Sequence, residues 1–144
     1  MSDLYENDIL LWSEYQAALL RRRAAGDLVN EAELDWPNLA EEIESVGNEQ
    51  LHAVTSLLTQ ALLHRLKTEA WPLSRDVPHW RGEARRFRGD AADRFVPSMR
   101  QKIDLAKIYR RALHAMPDAI DGQPPLPVPD VCPVTLDYLL SDDP

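Results

Sequence analysis

Apolar residues return at helical spacing through most of this chain, and no stretch alternates as a half-buried strand would. In the first segment Ile9, Trp12, Gln16 and Leu19 recur every three or four positions, with Tyr15 and Leu20 widening the stripe. This predicts a helix over about 5–25. Gly26 stops it, and Arg21, Arg22 and Arg23 fill its last turn, where positive charge suits the helix dipole. Asp35 opens a second helix. As N-cap it can accept from the backbone N–H of Asn38, while Pro37 has no N–H to lose in the first turn. Over about 36–67 an inward face is expected from Leu39, Ile43, Val46, Gln50, Val54, Leu57, Leu58, Ala61 and Leu62, with Gly47 as its one weak position.

Trp71-Pro72 ends that segment. A third helix is predicted over 78–96, with Trp80, Ala84, Phe87, Ala91 and Phe95 on a thin apolar face that Gly82 and Gly89 weaken. Pro97-Ser98 starts a fourth, over 98–116. It turns Met99, Ile103, Ala106, Tyr109 or Arg110, and Leu113 inward, with Leu105, Ile108 and Ala112 as a second apolar edge. After Gly122, prolines at 124, 125, 127 and 129 fix φ and remove donors, so the chain must run extended. Leu136, Leu139 and Leu140 then suit a short closing helix. The expected architecture is all-α: an antiparallel bundle of four main helices in one domain, 1–144, with a Pro-rich tail over 122–144 wrapping its surface.

Composition agrees with that picture. The chain's 144 residues, 44% hydrophobic and 28% charged, fit one ordinary globular domain. No apolar run approaches the roughly 20 residues of a membrane span, and the acidic start Ser2-Asp3-Leu4-Tyr5-Glu6 does not read as a signal peptide. A single Cys132 leaves no internal disulfide, which suits a reducing compartment. A cytoplasmic protein with no membrane association is the expectation.

Charge adds a sharper feature. Residues 1–64 hold 3 Arg against 12 Asp and Glu, a net −9; residues 65–111 hold 13 Lys and Arg against 6 acids, a net +7. Residues 112–144 carry 6 Asp and no Lys or Arg, a net −6. A basic block of this kind could face nucleic acid through Arg81, Arg85, Arg86 and Arg88, but the overall −8 opposes the field that a phosphate backbone needs. Packing between the acidic segments accounts for it more simply.

Three clusters could carry chemistry. Glu41, Glu42 and Glu44 ring the positive end of the second helix, and Arg81, Arg85 and Arg88 line one face of the third. Joined as a partly buried network they would fix helix register; facing solvent they would form a surface for another protein. Charge reversal at Glu41 or Glu44 is expected to lower thermal stability noticeably, and an unchanged melting temperature would mean that these carboxylates face solvent. His64 and Lys67 lie one turn apart, with Trp71 and Trp80 following. An acid–base pair is one reading of them, and a cap on the helix carbonyls is the plainer one. Glu49-Gln50-Leu51-His52 is the single Glu-x-x-His, where a di-metal bundle needs two; Glu49, His52 and His64 remain as a mononuclear alternative. Cys132, followed by proline and without a His nearby in sequence, reads as a small packed thiol. There is no Gly-rich phosphate loop and no paired-cysteine motif, so no cofactor or metal is expected.

Several of these residues also carry a family resemblance. Tyr5-Glu6-x-Asp8, Trp12-x-x-x-Gln16-x-x-Leu19-Leu20-Arg21 and Leu34-Asp35-Trp36-x-Asn38-Leu39-Ala40-Glu41-Glu42-Ile43-Glu44-x-x-Gly47 lead. His64-x-Leu66-Lys67, Trp80-Arg81, Pro97-Ser98, Tyr109 and Cys132-Pro133-x-Thr135-Leu136 follow. In this order they resemble a bacterial family catalogued as "domain of unknown function 29", over nearly the whole chain. The resemblance implies a small α-helical protein and brings no substrate, cofactor or catalytic residue. Two stretches depart from the family's usual pattern, Arg75-Asp76-Val77-Pro78-His79 and the Gly- and Arg-rich run 82–89. The function expected from all this is a non-catalytic interaction or accessory module whose partner is another protein or a second copy of the chain.

Overall fold

The structure, a computed structural model, describes residues 2–144, with side chains from Asp3 onward. Its helices are α1 (Ser2–Asn7), α2 (Ile9–Ala24), α3 (Trp36–Ala70), α4 (Val77–Arg94), α5 (Leu105–His114) and α6 (Leu136–Leu139), with one-turn 3₁₀ segments at Glu31–Glu33 and Pro97–Met99. Four of these are main helices, and among the described residues the only β pairing is an isolated bridge between Ile120 and Gln123. The chain is all-helical, as its periodicity predicts. It resolves into two compact units, one ending at Asn48 and the other covering Glu49–Pro144, a division that composition did not signal. The 35 residues of α3 run through Gly47 without a break, about 52 Å at 1.5 Å per residue.

In the first unit, Asp8 separates α1 from α2: its carboxylate accepts the Leu11 N–H at 3.0 Å, so the single helix expected over 5–25 is two. At the far end of α2, Gly26 takes φ 89° and donates to Arg23 O, while Asp27 donates to Arg22 O, both at 3.0 Å. That double closure with a left-handed glycine satisfies carbonyls the helix would otherwise leave open. The buried apolar residues of this unit are Trp12, Leu19 and Leu34.

The second unit is built around a larger core. Val54, Leu58, Leu62, Leu63 and Leu66 of α3 meet Ala91 of α4, Ile108, Tyr109 and Ala112 of α5, Met99, and Leu139 of α6. A smaller cluster gathers Ala70, Trp71, Val77 and Trp80 around the α3–α4 connection. The Pro-rich tail is fixed by hydrogen bonds to side chains and backbone: Trp71 Nε1 donates to Gln123 O at 2.9 Å, the Leu126 N–H to Ala70 O at 3.0 Å, and Tyr109 Oη to Pro129 O at 2.5 Å. It turns between Ile120 and Gln123 through Asp121 and Gly122, both at positive φ (51° and 75°), as in a type I′ turn. The fourth helix is shorter than the 98–116 expected. Asp104 accepts the Lys107 N–H at 3.2 Å and starts α5 there, leaving Met99 on a separate 3₁₀ turn and Ala106 and Arg110 exposed.

The largest correction concerns the start of α3. Ile43 is 73% and Val46 65% exposed, although both were expected to pack inward. The half-buried positions of this stretch are instead Asp35, Asn38, Leu39, Glu42 and Ser45. The inward face is therefore rotated by about one residue, 100° on a helix, relative to the apolar stripe. Ile9 on α2, expected inward as well, is also half exposed.

Candidate functional site

What rotates α3 is a polar latch between the first helices and the Asp35 corner. Gln16 is fully buried and satisfied at both ends of its amide: Nε2 donates to Glu33 O and Oε1 accepts the Asp35 N–H, each at 2.9 Å. Asp35 caps α3, accepting from the Asn38 N–H at 3.5 Å and from Asn38 Nδ2 at 2.8 Å. Trp12 Nε1 donates to the same carboxylate at 3.1 Å, and Tyr5 Oη donates to Glu42 Oε1 at 2.6 Å. The Tyr5 ring meets the Trp12 ring edge-on at 4.8 Å. As the chain number rises from Tyr5 to Trp12 to Gln16, the partner's falls from Glu42 to Asp35 to Glu33, so the two segments lie antiparallel.

Electrostatics follow this geometry. The Asn38 amide, and after it the Trp12 indole, hold the Asp35 carboxyl below its ordinary value against the opposing cost of burial. The Glu42 carboxylate accepting from Tyr5 pushes that phenol up to about 12. Of the candidate cluster Glu41, Glu42 and Glu44, Glu42 is hydrogen-bonded to Tyr5 as part of this latch. Glu41 and Glu44 are exposed.

Because the latch occupies one face of α3, it turns Trp36, Ile43 and Val46 outward. Positions i, i+7 and i+10 lie on one side of a helix, and these three residues are 48%, 73% and 65% exposed. An apolar strip results, with Glu44 at one edge and Glu41 on the far side of the helix.

In the second unit Arg81, Arg85 and Arg88 come together on one face of α4, as their spacing requires. Of the three, Arg88 alone has hydrogen-bond partners among the described residues, and they lie within its own unit. Arg88 donates to the carbonyls of Tyr138 at 2.8 Å, Leu139 at 3.2 Å and Ser141 at 3.0 Å, and so holds the C-terminal segment. On the other side of α4, Arg86 is paired with Glu83 at 2.6 Å and faces Asp90 at 3.9 Å. Sequence reasoning missed Arg65 and Tyr138, which lie against this arginine face. Their only sequence signal was an i, i+4 pairing of Arg65 with Glu69.

The remaining candidates separate. Trp71 and Trp80 are buried together in the small cluster, next to a cleft of about 610 Å³ lined by Leu73, Arg75, Asp121 and Gln123 among others. His64 is elsewhere, its Nδ1 2.8 Å from Gln60 O and its ring 5.3 Å from that of Phe87, while Lys67 is half-buried in the last turns of α3. Among the described residues no three His, Cys, Asp or Glu side chains are placed to hold a metal ion, which applies to Glu49, His52 and His64 as to the rest. Cys132 is half-buried, its Sγ 3.4 Å from Val134 O. No helix of the described residues is long and apolar enough to cross a membrane.

Comparison with known proteins adds family and fold. The profile of the family described as "Domain of unknown function DUF29" matches residues 4–143. The crystal structure of an alpha-helical protein of unknown function from Rhodospirillum rubrum ATCC 11170 superposes with a TM-score of 0.69 at 30% identity, covering 96% of this chain and 90% of that one. No curated protein matches the chain.

Proposed function

The chain belongs to this DUF29 family, whose description assigns no activity, and we propose that it serves in the cytoplasm as a non-catalytic accessory module that docks a basic amphipathic helix of another protein. The observation that carries this reading is the outward strip of Trp36, Ile43 and Val46. Large apolar side chains exposed side by side on a regular helix, with Glu44 at one edge, suit an amphipathic helix as partner. Charge selects the occupant. The first 48 residues hold 3 Arg against 11 Asp and Glu, a net −8, so a basic helix is attracted while a second copy of the same face is repelled.

A photo-crosslinking residue placed at Ile43, with the still more exposed Leu73 as a control, tests this in the native host. The expected product joins position 43 to a basic amphipathic segment of a different chain, and Val46→Asp abolishes it. Crosslinks to the protein's own sequence would replace the proposal with a homodimer, and a yield no higher than at Leu73 would end it.

A further inference from the structure

We infer that the arginine face of α4 is one wall of a binding site for a small phosphorylated molecule. Arg81, Arg85 and Arg88 line a cleft of about 420 Å³ together with Arg65 and Thr68 of α3 and Tyr138 of α6. Four arginines line it with the Glu69 carboxylate and with Pro144, the last residue of the sequence, whose backbone oxygen accepts from Tyr138 Oη at 2.9 Å. The volume is in the range of small-molecule sites, and Ala61, Ala84 and Leu139 give the cleft an apolar floor.

Two of the arginines are held in place before any ligand arrives. Arg88 is fixed by its three carbonyl acceptors and stacks 4.3 Å from the centroid of the Tyr138 ring. Arg65 lies 5.8 Å from the same ring. Its Nε stands 3.1 Å from Glu69 Oε1, yet it is a buried donor without an aligned acceptor, so charge attraction is present and a hydrogen bond is missing. Arg81 and Arg85 have no acidic partner among the described residues. Placed at i, i+4 on one helix, they repel each other.

The contrast within α4 is what points to a ligand. Arg86, away from the cleft, has Glu83 and Asp90 as neighbours at 2.6 and 3.9 Å. The helix therefore pairs the arginine that lies outside this cleft and leaves Arg81 and Arg85, which line it, without an acidic partner among the described residues. The free forks of Arg81 and Arg85, beside the guanidinium groups of Arg65 and Arg88 that their own partners hold in place, match the oxygens of a phosphate group. The floor and the Tyr138 ring leave room for an apolar or aromatic portion of the same molecule.

The test is titration of the full chain with inorganic pyrophosphate and with AMP, followed by amide NMR and thermal melting in parallel. Expected are saturable shifts centred on residues 65–69, 81–88 and 138–141, and a raised melting temperature with both probes. Arg81→Gln with Arg85→Gln weakens AMP binding by about tenfold or more. In the free protein the same variant melts no lower than the original, since it removes repulsion and breaks no pair. Arg86→Gln leaves binding unchanged. Shifts spread over basic residues generally, an equal loss with Arg86→Gln, or no saturation would overturn the site. Tighter binding of an RNA oligonucleotide with a steep salt dependence would replace it with a nucleic-acid face.

Discussion

The two compact units of this protein are stabilised by different means. Beyond Asn48, fifteen of the sixteen buried apolar residues form two contiguous clusters, and four large hydrophobic side chains are exposed. Up to Asn48, among the described residues, three apolar residues are buried with Gln16, and eight large hydrophobic side chains face out. The first unit is thus held less by apolar burial than by a hydrogen-bonded latch through Tyr5, Trp12, Gln16, Asp35, Asn38 and Glu42. A core of that kind is specific because each buried polar group has few acceptable partners, and it is vulnerable for the same reason. It also frees the apolar side of α3 for another use.

The sharpest way to break this comparison is to cut each region at its own kind of contact. Leu62→Ala in the second unit, at a fully buried position, lowers stability by about 2–5 kcal/mol in denaturant unfolding followed by circular dichroism. Gln16→Leu keeps the volume and removes both hydrogen bonds, leaving Glu33 O and the Asp35 N–H unpaired; about 1–3 kcal/mol is lost, read in the same unfolding curves. A neutral Gln16→Leu would show that apolar burial suffices in the first unit as well.

Acid and base offer a smaller but cleaner probe of the latch. Asp35 has a folded pKa below its ordinary value of 3.8, so the unfolded chain binds its proton first as pH falls. The stability it contributes is present above that value and is lost as pH falls through the folded one. Asp35→Asn should flatten the acid limb of the pH–stability curve. Tyr5 is the mirror case. Its pKa rises from 10.0 to about 12 on folding, so its contribution is complete below 10 and fades between there and 12. Tyr5→Phe should remove that alkaline limb, visible in amide exchange of residues 35–45.

The smallest effect belongs to Glu41 and Glu44. Glu41→Lys and Glu44→Lys change exposed side chains and should move stability by no more than about 0.5 kcal/mol, where a buried network with arginines would have lost far more. A large drop in melting temperature would put those carboxylates back into the packing. If they stay neutral while crosslinking at Ile43 falls, the strip is a surface in its own right.

Much of this was legible in the residues. Asp35 as a cap, Gly26 as a stop, arginines in the last turn of α2 and the apolar stripe from Val54 to Leu62 each follow from local rules that act within one turn of helix. The Asp104 cap was equally local but was hidden by apolar residues on both sides, which made one helix of a 3₁₀ turn and α5. The start of α3 failed for another reason. Its apolar stripe and its polar stripe are each regular, and nothing inside the helix says which one faces in. Gln16 on an otherwise apolar stripe was the available hint, because a buried amide demands partners.

The sequence by itself determined the helices, most of their ends, the extended tail and the family, since these rest on short-range hydrogen bonding, backbone restriction and periodicity. Only the tertiary structure decided that Asp35, Asn38 and Glu42 turn inward while Ile43 and Val46 turn out, and that Arg65 and Tyr138 join Arg81, Arg85 and Arg88 around one cleft. The physical reason is common to both. A rotation of one residue about a helix axis leaves every local interaction intact, so the choice is made by donors and acceptors that arrive from distant parts of the chain.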